Sequence, residues 1–435
     1  ENFNLHSANT IRYFGDDDRQ QLRQQLAQQL PGCADSLDFL LDRGQWPGQD
    51  TYGMSRTLCL LLSVGCRAIV MDDDVLCSAI DSPFAAAGVR FADSMNEVDF
   101  YPSTDGWRRR FGPRAENPLT SHLQCLGLGI GDALHALGID ADDDTYLADS
   151  EYRVMRRLGP DSRVLITQNG TFGDPGTQDT SWCFNLQGDS LQRLLDNPDS
   201  LQAKLATRQY WMGFSRATFS TQGALSQVTG LDNSVVLPPY FPAWRGEDQV
   251  FGAMVHFLYP GSLVLNYPWA VPHLPLEERT GRIDDSAGRA DMGLVESWLN
   301  ERARDVPNPD FTARLAALAQ VLRDVRDKPD EDLSRDYRLA LGAAHAAAVS
   351  SLTAQMRDAP EAHKPWRALL TQRRQGYLAA LGRPDVPVRV DGVADDTPEA
   401  VVWDHLRRYC GSFAKCLEDW PAIRDAAAAI AASGD

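Results

Sequence analysis

Three consecutive carboxylates end the stretch Cys66-Arg-Ala-Ile-Val-Met-Asp-Asp-Asp-Val75. Two residues apart, Asp72 and Asp74 make the donor pair of one hard divalent cation. Such an ion prefers oxygen ligands and fills its other positions with water and substrate phosphates. The apolar run 68–71 has the length and the β-branched centre of a buried strand. Open α/β sheets bind ligands outside the carboxyl ends of their strands, where Asp72, Asp73 and Asp74 are then expected. The plainer alternative makes Asp73 or Asp74 the cap of a helix starting at Val75.

Three further places carry chemistry. In Tyr52-Gly-Met-Ser-Arg-Thr-Leu-Cys-Leu-Leu-Leu62, Gly53 and Ser55 suit a helix start. Arg56 then falls in the first turn, where the helix dipole disfavours a cation, so it needs an anionic partner. That partner is either a neighbouring carboxylate or a phosphate, which a helix N-terminus and a guanidinium both attract. The second place is Leu237-Pro-Pro-Tyr-Phe-Pro-Ala-Trp-Arg-Gly-Glu-Asp, an aromatic, proline-rich loop running into a helix over 249–258. Its rings, Trp244 among them, suit a sugar face or a core equally. Glu247 and Asp248 fall at the helix start, as site groups or as an ordinary acidic cap. The third is His273, in a proline-rich segment after a strand over 262–266. A neutral imidazole there is a competent metal ligand, and an exposed surface histidine is the alternative.

Gly53-x-x-Arg56 in a helix, followed by a strand that ends in Asp-Asp-Asp, resembles the sugar-nucleotide half of a GT-A glycosyltransferase. The resemblance implies that Asp72 and Asp74 hold Mn²⁺ or Mg²⁺ and that Arg56 and Asp73 belong to the diphosphate site of a nucleoside-diphosphate sugar. The aromatic loop followed by Gly246-Glu247-Asp248 resembles the acceptor side of the same enzymes, where one carboxylate holds the sugar or takes the acceptor's proton. His273 matches a third metal ligand placed after the last strand. The family opens with a Val/Ile-rich strand that cradles the nucleobase, and nothing ahead of Thr10 reads that way. Either residues 10–14 take that part or a preceding segment is missing from the sequence.

These groups need a scaffold. The chain has 435 residues, which predicts two domains, with an ordinary 43% of hydrophobic residues. A net charge of −18 argues against a protein that coats nucleic acid or anionic lipid. The eight cysteines contain no CxxC pair, which fits reduced thiols in a cytoplasmic protein, peripheral to a membrane at most. The longest apolar segment, 58–71, is interrupted by Ser63, Gly65, Cys66 and Arg67 and is too short to span a bilayer.

Along the chain, 10–14 reads as a strand. Asp16, Asp17 and Asp18 cap a helix that continues to about 30, 33–41 continues helical, and the helix at 52 follows. Trp107-Arg-Arg-Arg110 is a surface basic cluster. Gly127-Leu-Gly-Ile-Gly131 lacks the preceding strand of a dinucleotide motif and reads as small residues for close packing, with His122 and His135 as packing or surface histidines. After a strand over 164–168, Asn169-Gly170 and Gly173-Asp-Pro-Gly176 predict turns. Residues 165–185 then form a flap over the donor, with Trp182 and Phe184 giving it apolar contacts. A helix over 191–210, an extended segment 214–222 and a turn at Gly230-Leu-Asp-Asn233 come next. Beyond 285 the periodicity predicts helices over 292–303, 311–326, 333–357, 364–381 and 400–432, with Arg373 and Arg374 solvated.

The expected fold is thus α/β, a GT-A-like mixed sheet flanked by helices over 1–285, followed by an all-α domain over 286–435 that positions the acceptor or forms homo-oligomers. The expected function is a metal-dependent, inverting glycosyltransferase that moves a sugar from its nucleotide donor to a glycan, lipid-linked or protein hydroxyl. The alternatives are a nucleotidyltransferase making the sugar nucleotide, for which the sequence shows no glycine-rich phosphate loop, and a non-enzymatic binding module.

Overall fold

A computed structural model describes residues 11–93, 97–101, 114, 116–139, 150–177, 180–223, 227–276, 279, 310–359, 363–383, 387–389, 392–394 and 396–433. The expected basic cluster at 107–110, the helix over 292–303 and the domain boundary at 285 lie outside these residues. In chain order the elements are α1 (Asp16–Gln29), α2 (Ala34–Leu41), α3 (Tyr52–Leu62), β1 (Arg67–Met71), β2 (Ile80–Asp81), β3 (Val89–Phe91), β4 (Glu97–Phe100), α4 (Pro118–Cys125), α5 (Ile130–Ala136), α6 (Tyr152–Met155) and β5 (Arg163–Gly173). Then come α7 (Gly188–Leu195), α8 (Leu201–Ala206), β6 (Tyr210–Gly213), β7 (Ala217–Ser220), β8 (Val228–Asp232), α9 (Glu247–Leu258) and β9 (Ser262–His273). Among the described residues four long helices follow: α10 (Phe311–Asp327), α11 (Asp330–Asp358), α12 (Lys364–Leu381) and α13 (Glu399–Ser433).

Among the described residues the strands form one mixed sheet of nine, in the order β1-β8-β5-β9-β7-β3, with β2 on β9, β6 on β5 and β4 on β6. β8 runs antiparallel to both β1 and β5, and β5 runs parallel to β9. β1, β5 and β9 therefore point the same way and release their carboxyl ends at one edge of the sheet. β1 itself is not the buried strand its composition predicts. It ends the main strand order, and all five residues are exposed or half-buried.

Three strands run through residues that locally favour turns. β5 continues across Asn169-Gly170 to Gly173, so 163–173 is a central, almost wholly buried strand and not part of a flap. Asn169 is held there by His122, whose Nε2 donates to Asn169 Oδ1 at 3.0 Å. His122 is thus a packing histidine, and His135 is exposed. Gly230 lies inside β8, not in a turn, paired with Thr167 of β5 so closely that a side chain there would collide with Thr167 Oγ1. β9 likewise passes through Pro268 and Pro272 to end at His273. Trp182 stacks on Phe100 and Phe184 on Trp366, so both serve the core. The predicted helix over 191–210 divides into α7, α8 and β6. Residues 11–14 form no strand, and the acidic triplet opens α1, where the Asp18 carboxylate accepts from Gly15 N–H at 2.8 Å.

Helices cover both faces. One core joins α1–α3, α9, α10 and α13 to Leu165, Ile166, Leu231 and Val264 of the sheet. The other face packs Val164, Leu263, Leu265 and Trp269 against α4 and α5. α11 and α12 bring Leu352, Trp366 and Leu370 to Phe184 and Tyr210. The C-terminal helices fall close to their predicted spans and share these cores with the sheet-bearing half. Arg373 is not solvated but lies over the Phe184 ring, 4.7 Å from its centroid. No helix among the described residues is long and apolar enough to cross a membrane.

Candidate active site

The site lies at the edge where β1, β5 and β9 end. After β1, Asp72 N–H donates to Gln227 O at 2.9 Å. The chain then crosses the sheet edge and lies along the end of β9. There Leu274 N–H donates to Asp74 O and Leu76 N–H to Pro272 O, both at 2.9 Å, with Val75 bridged to His273. No helix starts at Val75, so the triplet is not a helix cap. The backbone ladder sets Asp74 beside His273, and their Oδ1 and Nε2 are 3.1 Å apart. Asp73 is exposed and faces solvent.

His273 is buried, at 5% exposure, not the surface residue a proline-rich loop would present. Its Nδ1 lies 2.5 Å from Asp174 O, and a carbonyl only accepts, so Nδ1 carries the proton. In the neutral ring the Nε2 lone pair then faces a carboxylate oxygen. Two acceptors at that distance repel unless a proton or a cation lies between them. Metal-bound histidines commonly donate their other N–H to a backbone carbonyl, so this pair fits a divalent ion with oxygen and nitrogen ligands. Among the described residues, no three His, Cys, Asp or Glu side chains already converge on one point. Asp72, the remaining donor, is turned toward Arg56 instead, with Nη2 and Oδ1 3.4 Å apart.

Arg56 links the two halves of the site. Its Nη1 pairs with Asp248, and its guanidinium lies 5.8 Å from the Tyr240 ring centroid. Gly53 makes this possible. A side chain there would run into Phe241 O, so only glycine lets α3 approach the aromatic loop. Met54 N–H then donates to Pro242 O at 3.0 Å, and Tyr240 N–H to Thr57 Oγ1 at 3.0 Å. One turn after Gly53, Arg56 meets the first turn of α9. The loop rings face the core: Trp244 packs on Trp46, Phe241 and Tyr409. Trp244 holds a left-handed backbone, φ 72°, fixed by that cluster.

Glu247 is buried and Asp248 nearly so, which favours their neutral forms. Burial, then the charge of Asp248, pushes Glu247 up to about 7, against the pull of Arg56. Burial also raises Asp248, while Arg56 opposes that rise, and the surrounding carboxylates raise Arg56 in turn. A guanidinium keeps its proton in proteins. Asp248, in direct contact with it, therefore stays the carboxylate of the pair, and Glu247 is the group that titrates. Burial likewise raises Asp72, again opposed by Arg56. A small pocket beneath is lined by Arg56, Gln168, Thr229, Tyr240, Asp248 and Phe251, among others.

Arg56, Asp72 and Asp248 thus meet in one ion-pair chain, with Glu247 next to Asp248, and Asp74 meets His273. Sequence reasoning missed Asp174 and Arg208, and read Tyr240 only as one ring of the aromatic loop. Only the turn residues of Gly173-Asp-Pro-Gly176 marked the first of these. No protein-family model matches the chain, and no curated protein or solved structure does.

Proposed function

We propose that the chain is a metal-dependent, GT-A-like glycosyltransferase, moving a sugar with inversion from a nucleoside-diphosphate sugar to an acceptor hydroxyl on a glycan, lipid carrier or protein. The observation that supports it is the meeting of Arg56, Asp72 and Asp248, the outer two separated by 192 residues of sequence, at the sheet edge that also carries Asp74 and His273. Asp74, His273 and Asp72 would hold Mn²⁺ or Mg²⁺, with Asp73 at the rim of the diphosphate site. Bound there, the ion supplies Lewis-acid neutralisation of the charge growing on the departing diphosphate.

The chain's own groups do the rest. Arg56 offers a phosphate oxygen an N–H donor left over from its pairs with Asp72 and Asp248, a charge-assisted contact. Asp248, kept ionised by Arg56, accepts a sugar or acceptor hydroxyl. Glu247 takes the acceptor's proton as general base, which a carboxylate near pH 7 does efficiently. Arg56 therefore joins donor and acceptor sides, because it touches a carboxylate of each.

The test is a thermal-shift panel of UDP, GDP, CDP and dTDP, with and without Mn²⁺, on wild type and Asp74→Ala. A nucleotide at about 100 times its dissociation constant adds roughly 2.7 kcal/mol of stability. One nucleotide raising the wild-type Tm only with metal, and failing in Asp74→Ala, is the expected result. No shift with any combination overturns the reading.

A further inference from the structure

Beside the proposed metal pair lies a buried ion pair that the mechanism does not use. Arg208, between α8 and β6, grips Asp174 with two nitrogens, Nε to Oδ2 at 2.9 Å and Nη2 to Oδ1 at 2.5 Å. Both side chains are about 5% exposed or less. The same Nη2 donates to Thr177 O at 2.7 Å, and Asp174 Oδ1 also accepts from Gly176 N–H at 2.7 Å. The turn 174–177 is thereby held at both ends by one guanidinium. Its residue Asp174 follows β5 directly and presents the carbonyl that receives His273 Nδ1–H. Gly176 also lies near the imidazole, where an added methyl would stand 3.6 Å from Cε1.

We infer that Arg208 is a positioning residue for the proposed metal centre. Through Asp174 it keeps the His273 proton on Nδ1 and aims Nε2 at Asp74. This rests on the metal reading above. A fork of fixed geometry suits the task better than a single point charge, because it sets the orientation of the carboxylate and with it the plane of the turn. The two-oxygen grip sits one residue beyond a buried central strand, so the carbonyl has a rigid base on one side and a buried cation on the other.

The test titrates the full-length protein with Mn²⁺ alone and follows the free ion by electron paramagnetic resonance. The proteins are wild type, His273→Ala, Arg208→Met and Arg208→Lys, with folding checked by circular dichroism. Outer groups that orient a metal-bound histidine are typically worth about 10–100-fold in metal affinity. Arg208→Met is expected to weaken Mn²⁺ binding by that factor, and Arg208→Lys to recover part of it. A folded Arg208→Met that binds Mn²⁺ like wild type overturns the inference. If Arg208→Met does not fold, the ¹⁵N shifts of the wild-type His273 ring decide: proton on Nδ1 supports the inference, proton on Nε2 overturns it. Equal binding by His273→Ala and wild type overturns it while leaving Asp72 and Asp74 as ligands. Absence of Mn²⁺ binding by wild type removes the metal reading itself.

Discussion

At the scale of single residues, the proposed chemistry depends on which carboxylate carries the proton. Glu247 is buried at the start of α9, where burial and the charge of Asp248 favour its neutral form and Arg56 and Arg245 oppose it. Its folded value of about 7 exceeds the ordinary 4.5, so the folded state holds this proton more tightly than the unfolded chain does. Stability from this group is therefore full below about pH 4.5 and declines as pH rises toward 7, by about 3 kcal/mol at 1.36 kcal/mol per unit. Glu247→Gln removes that decline. At pH 8 it should be more stable than wild type by up to that amount, while at pH 4 the two should match within experimental scatter in urea denaturation. As a general base Glu247 works only when ionised. Turnover should rise through about pH 7 and level above it, and Glu247→Gln should lose about 10²–10⁴-fold in kcat with metal-dependent nucleotide binding retained. Arg56 is the opposite case, a cation whose loss strands two carboxylates. Arg56→Ala should cost about 3–5 kcal/mol, because Asp248 is left enclosed and unpaired. Adding Asp248→Ala should return a large part of this, and a double-mutant cycle showing strict additivity would contradict the pairing.

At the scale of elements, α3 and the aromatic loop form one unit whose spacing is set by Gly53. Gly53→Ala pushes a methyl into Phe241 O, a backbone atom that cannot swing aside, so α3 must lift from the loop. The expected loss is about 3 kcal/mol of stability or more. Arg56 moves with the helix, so nucleotide binding at fixed temperature should fall as well. Unchanged binding in a folded variant would separate the helix from the site. The sequence marked Gly53-x-x-Arg56, the acidic triplet, Glu247-Asp248 and His273 as candidates, but it read Gly53 only as a helix start and gave no sign of its close approach to the loop. Helices α1–α3, α9 and α10–α13 were legible too, since a 3.6-residue apolar repeat survives whatever packs around it, whereas the helix expected over 191–210 broke into α7, α8 and β6. The central strands were not legible. Asn169-Gly170, Gly230-Leu-Asp-Asn233 and the prolines of β9 favour turns locally, and only neighbouring strands in the folded sheet override them. β1 failed the other way, because an apolar run reads as central although it forms an edge. Arg208 and Asp174 were invisible for a different reason: a side chain acting through a backbone carbonyl leaves no motif.

At the scale of the whole molecule, the composition shift near 285 suggests two domains, yet the packing argues for one cooperative unit. α13 reaches back to the segment leading into the aromatic loop. Trp420 Nε1 donates to Leu237 O at 2.6 Å, and the buried Arg424 donates to Asn233 O and Val235 O, each at 3.0 Å. Tyr409 and Phe413 of the same helix pack on Phe241 of that loop. α11 contributes Gln355, whose amide donates to Leu186 O at 3.2 Å on the sheet-bearing half. Removing the helices would uncover apolar surface on α2, α3 and α9 and leave buried carbonyls without donors, a penalty of about 1–3 kcal/mol for each such group. Neither half then has a lower-energy state to occupy while the other unfolds. Calorimetry should accordingly show one transition, with calorimetric and van't Hoff enthalpies in agreement, and Trp420→Phe should lower its midpoint without splitting it. A saturating donor nucleotide with Mn²⁺ should shift that single peak as a whole, since the residues proposed to bind it lie against the shared core. Two peaks, of which the nucleotide moved only one, would mean that the helices fold independently of the site, and that α13 only borders the loop it grips.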